Sequence, residues 1–173
     1  MIYDNFDENK FNNVNSTVDT YYNIINDIVN KIIDPYVKDL DDFSTSIKNG
    51  LEDKEHPVTT EELTTICMKL STYIYFASGA TEQLGIKDDI SKAIYKEVYN
   101  NKRTSLEKGT VADKNVEAEL ESQHEQLTNI CFSRAYKIVK SKVEAATDLL
   151  SSCKKVLTYR ISEMSLSNMD LNK

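Results

Sequence analysis

Apolar residues return at steps of three and four along most of this 173-residue chain, with polar and charged residues filling the places between. That is the period of amphipathic helices. Val18, Tyr21, Tyr22, Ile25, Ile28, Val29 and Ile32 form one such stripe and predict a helix over about 14–33. Asp34-Pro35 is expected to break or kink it, because proline lacks an amide donor and its ring clashes with the preceding turn. Tyr36, Val37, Leu40, Phe43 and Ile47 resume the stripe over about 36–48, and Asn49-Gly50 reads as its stop. Residues 1–13, MIYDNFDENKFNN, carry no helical period and predict a weakly ordered arm ahead of a single all-helical domain over 14–173.

The polar stretch LEDKEHPVTTEEL then ends in a start signal. Thr59 and Glu62 stand at the spacing of a capping box, in which hydroxyl and carboxylate each satisfy a free backbone N–H. The helix so opened, about 60–78, carries Leu63, Ile66, Cys67, Leu70, Tyr73, Ile74 and Ala77. Gly79 and Gly85 bound an expected break, after which Ile86, Ile90, Ala93, Ile94 and Val98 mark a helix over about 87–102. Beyond Gly109 there is no further Gly or Pro. Thr110 and Asp113 repeat the start signal, and acids crowd the following turns where the helix dipole favours them. One helix over 111–164 would run ~75 Å at 1.5 Å per residue. The expectation is therefore all-α: an elongated helical bundle with short N-terminal helices and one very long C-terminal helix.

Along that last helix the stripe reads Leu127, Cys131, Arg134, Ile138, Lys142, Ala145, Leu149, Cys153, Val156, Arg160. Its steps repeat every eleven residues, about 3.67 per turn, which keeps a seam nearly straight. Leu127, Cys131, Arg134, Ile138, Lys142, Ala145, Leu149 and Val156 are thus expected to form a seam toward another copy of the chain. The cations on it call for acids from a partner helix.

Composition agrees with helices: four Gly and two Pro leave few breakers. A mean hydropathy of −0.49, with no apolar run of membrane-spanning length, predicts no transmembrane helix and no membrane partner. The first ten residues lack a basic stretch followed by an apolar one, so no secretory leader is expected. Three widely spaced cysteines suggest neither a disulfide framework nor a zinc site, and a reducing cytoplasm is expected. The net charge of −7 opposes nucleic acid binding overall, yet it is unevenly spread. Residues 1–65 carry −9 and 109–129 carry −4, whereas 66–108 carry +2 and 130–173 carry +4.

Catalysis has little to stand on. The two histidines, His56 and His124, accompany no metalloprotease, nucleophile-elbow or phosphate-loop motif, and Glu121-x-x-His124 is the one Glu-x-x-His spacing where a di-metal bundle needs two. No enzyme activity and no cofactor are expected. Tyr95 and Tyr99 lie one turn apart beside Lys92, Lys96, Lys102 and Arg103. Aromatic faces that stack bases next to cations that hold phosphates make a sequence-tolerant single-strand site. At helix spacing the same tyrosines also serve as core edges with a wet hydroxyl.

The succession KAIYKEVYNNKR, a short loop, GTVADKNVEAEL and the uninterrupted LTNICFSRAYKIVKSKVEAATDLLSSCKKVLTYRISEM resembles the phage recombination mediators of the UvsY type, over about residues 60–164. The resemblance implies an oligomeric ring-former in the host cytoplasm that binds single-stranded DNA and helps a recombinase displace a single-strand binding protein. It places DNA contacts at Lys92 and Lys96, followed by Lys102, Arg103 and Lys108, although Ile94 interrupts the family's alternating cations. The alternative is a viral virion, scaffold or host-inhibitor protein that acts purely through protein contacts of its long helix.

Overall fold

Asp7 begins the first helix: its carboxylate accepts the backbone N–H of Lys10 at 3.1 Å, and helical turns follow at once. The computed structural model describes residues 7–170, with side chains as far as Leu166. Among these residues the order is α1 (Glu8–Glu52), α2 (Thr60–Ser105), α3 (Val111–Glu121) and α4 (Gln123–Asp170), with no strand. The chain is all-α, but three helices of 45, 46 and 48 residues replace the expected short N-terminal helices and single very long one.

Each difference has a local cause. Residues 8–13 of the expected arm are the first turns of α1, nucleated by the Asp7 cap; residues 1–6 of that arm lie outside the described residues. Pro35 sits inside α1 and joins the expected 14–33 and 36–48 helices. Lys31, whose carbonyl loses its partner, is exposed like Asp34 and Pro35, so water can take that bond, while Ile33 and Val37 are buried on the other face. Gly79 and Gly85 do not interrupt α2. A Cβ at Gly85 would stand 3.4 Å from the Tyr136 ring of α4, so this glycine permits a close helix crossing, with Leu84 fully buried beside it.

The expected 111–164 helix is divided at Ser122. Ser122 keeps the α-type bonds on both sides, from its own N–H to the Ala118 carbonyl at 3.1 Å and from Gln126 N–H to its carbonyl at 3.0 Å. Its hydroxyl also donates to the Ala118 carbonyl at 2.8 Å, and ψ opens to 11°. Such back-bonding bends helices. Ala118 and Ser122 are fully buried, and α3 packs on α2.

Two apolar clusters fix the topology. One joins Val29, Ile33 and Val37 of α1 to Leu84 of α2 and Cys131, Ala135 and Val139 of α4. The other joins Leu40 and Ile47 to Leu63, Cys67, Leu70 and Ala77, and to Ala146, Leu150 and Cys153. Residue numbers rise together on α1 and α4 and fall on α2, so α2 runs antiparallel to both in a three-helix bundle. Burial pushes the Cys131 and Cys153 thiols up from their ordinary pKa, as suits small apolar core residues.

Candidate interaction surfaces

The basic joint between α2 and α3 is built from local chemistry. Gly109 adopts φ +106°, a left-handed conformation that glycine tolerates, and Thr110 follows as N-cap. The Thr110 N–H and hydroxyl both donate to Asp113, at 3.0 and 2.8 Å, while Asp113 N–H donates back to the Thr110 hydroxyl oxygen at 3.2 Å. Those donors, the hydroxyl first, hold the Asp113 carboxyl below its usual range. Lys114 Nζ donates to the Leu106 carbonyl and so closes the loop against the end of α2. The cap at Thr59 repeats the device: Thr59 N–H and hydroxyl donate to Glu62 at 2.8 and 2.9 Å and lower its pKa.

On α2 the expected DNA-contact residues divide into two groups. Lys92, Lys96 and Arg103 are exposed, as is Lys108 in the loop. Tyr95 and Tyr99 are half-buried and lean on each other, ring centres 6.4 Å apart and planes tilted by 48°. Lys102 turns the other way. Its ammonium stands 3.6 Å from both Glu117 and Glu121, so it ties α3 to α2. A side chain shared by two carboxylates is a strut rather than a free phosphate ligand.

The expected inter-copy seam on α4 divides between residues that meet the chain's own helices and residues that stay exposed. Cys131 is buried between α1 and α2, while Ile138 and Leu149 are half-buried. The acid that answers Lys142 is Asp41 of α1, at 2.6 Å, and Arg160 donates to the Val58 carbonyl at 2.7 Å. Arg134 remains exposed along a shallow groove with Tyr22, Ile25 and Val29 of α1. Ala145, Leu127 and Val156 are exposed.

The uncovered apolar surface extends beyond that seam. α1 packs on α4 from Ile25 onward, yet toward its start the same stripe continues through Tyr22, Tyr21, Val18 and Val14, each more than half exposed. Facing that direction along α4 and α3, the stripe Ile130, Leu127, Leu120, Val116 is also exposed, and α1 makes no contact with α3 among the described residues. The sequence carried this signal in the unbroken three-and-four spacing, which here outruns the length of the partner helix. A smaller outer patch on α2 holds Met68, Tyr75 and Phe76, the last two in an edge-to-face pair.

Between α2 and α4, Asn129 Nδ2 donates to the Asp88 carbonyl, to Asp88 Oδ1 and to the Ser91 hydroxyl oxygen, at 3.3, 3.2 and 3.0 Å. His56 is exposed and paired with Asp53, whose pKa is lowered chiefly by the His56 and Glu55 backbone N–H groups. His124 is also exposed. Among the described residues no group of three His, Cys, Asp or Glu is placed to hold a metal, and no helix is long and apolar enough to cross a membrane. No family model matches the chain, and no curated protein or solved structure does so either.

Proposed function

We propose that this chain is a non-enzymatic assembly protein that works by laying an uncovered helix face against another protein. One observation carries the reading: the α1 stripe over Val14–Tyr22 stays exposed although it continues a seam that is fully packed from Val29 onward. An isolated apolar residue on a surface is ordinary, whereas a contiguous stripe at helical spacing is the anchor row of a helix that docks. The neighbouring clusters pack the continuation of this stripe against α2 and α4. A photo-crosslinking residue at Val18 tests this in cells that contain the protein. It should capture a protein partner, whereas the same residue at exposed Lys38 should not. Absence of any capture from position 18 would remove the proposal.

The finer reading, a recombination mediator of the UvsY type that binds single-stranded DNA and aids a recombinase, is favoured by the exposed row Lys92, Lys96 and Arg103 beside the Tyr95–Tyr99 pair. The engagement of Lys102 with Glu117 and Glu121 shortens that row by one cation. Anisotropy of a labelled single strand, titrated at several salt concentrations, decides it. Binding that weakens steeply with salt and is lost in K92A/K96A/R103A supports DNA contact through counterion release. A flat signal at low salt leaves protein contacts as the function.

A further inference from the structure

We infer that the open V between the start of α1 and α3 is filled by the start of α1 from a second copy of this chain, reciprocally, about a two-fold axis. The inference rests on the assembly reading above and names its partner.

Both walls of the V continue an existing interface. On α1 the packed positions Ile33, Val29 and Ile25 lead at steps of three and four to Tyr22, Val18 and Val14. On the other wall Ile138, Arg134 and Ile130 lead to Leu127, Leu120 and Val116. Beyond Ile130 the two walls part: α3 lies against α2, with Lys102 between Glu117 and Glu121, and α1 makes no contact with α3 among the described residues. Among the described residues no further helix covers this end, and the start of α1 is a helix with the apolar stripe that would fit there.

Charge selects the kind of occupant. Between Asn9 and Asn26 the only ionised side chains are Lys10 and Asp19, one of each sign, in a chain of net charge −7; asparagine, serine and threonine fill the remaining polar places. A lipid surface or a nucleic acid would call for flanking cations, which neither this segment nor the opposite wall, −4 over residues 109–129, supplies; that acidic wall also repels an acidic partner. Two copies of a neutral segment approach without repulsion. A two-fold arrangement lets each chain supply both the wedge and the V, which closes the assembly at two.

The area is also sufficient. Val14, Val18, Tyr21, Tyr22, Val116, Leu120, Leu127 and Ile130 are between 37% and 62% exposed. Together they offer about 700 Å² per chain, against the ~800 Å² that each partner contributes to a standard stable interface.

Light scattering with size separation, across a dilution series of the full chain, tests the inference. The expected mass is twice the 19.8 kDa of one chain, falling to that of one chain for V18D/Y22D with helical circular dichroism unchanged. Both positions are exposed in the single chain, so the substitutions spare its core. Asn23→Asp, on the far side of α1, should leave the dimer intact. A wild type that is monomeric throughout, a mass larger than two chains, or a dimer indifferent to V18D/Y22D would each overturn the inference. A monomeric wild type that still crosslinks another protein from position 18 overturns the second copy alone and leaves the assembly reading standing. Binding to neutral or anionic vesicles that V18D/Y22D abolishes would give the stripe to a membrane instead.

Discussion

Lys142 Nζ donates to both carboxylate oxygens of Asp41, at 2.7 and 2.6 Å, across 101 residues of sequence. This pair holds α4 beside α1 midway between the two apolar clusters. It turns a cation on the expected inter-copy stripe into an internal contact. Its side chains are 34% and 43% exposed, so water and salt screen it. Removing either partner should cost about 0.5–1 kcal/mol, with a coupling of roughly 0.5 kcal/mol in a double-mutant cycle. Urea unfolding of K142A, D41A and the double variant measures it. A coupling near zero would mean that apolar packing alone sets this register.

Asn129 should matter more than its single side chain suggests. It gives α2 and α4 a polar contact at Asp88 and Ser91, and Ser91 is 6% exposed. Asn129→Ala leaves those acceptors short of a donor and should destabilise by about 1–2 kcal/mol. Thermal unfolding reads the loss. A neutral result would indicate that water replaces the amide.

Acid should weaken the fold through its helix starts. The Glu62 and Asp113 carboxyls lie below their ordinary values of 4.5 and 3.8, because Thr59 and Thr110 donate to them. The unfolded chain therefore binds more protons in acid. The stabilisation is complete above the ordinary values and is lost as pH falls through the lower, folded ones. Both groups are solvent-exposed, so the effect is modest. The melting temperature of T59V/T110V, followed from neutral pH into the acid range, should fall less steeply than that of the parent. Parallel slopes would refute the role of the caps.

The features legible in the sequence were those set by near neighbours. Both capping boxes could be read because they span four residues, and the helical class followed from the spacing of Val18 to Ile47 and of Leu63 to Ala77. Pro35, Gly79 and Gly85 misled because their local cost is outweighed by burial of Ile33, Val37 and Leu84 on the opposite face or next to them. The division at Ser122 was hidden because serine in a helix is unremarkable until its hydroxyl is buried against its own backbone. The stripe on α4 was visible, but amphipathicity states that a face is covered and not by whom. Val29, Leu40 and Asp41 meet it from the same chain around Cys131, Cys153 and Lys142, while Leu127, Arg134, Ala145 and Val156 stay exposed.

At the start of α1 the apolar spacing continues where cover from the chain's own helices ends. Hydrogen exchange resolved by segment, at two protein concentrations, tests this most directly. Amides over residues 29–47 should be protected at both. Those over 14–25 should exchange quickly when dilute and slow markedly when concentrated, because this face gains its cover only from another chain. Protection of 14–25 that is equally strong at the lowest concentration would contradict the account, since the stripe would then be covered within one chain.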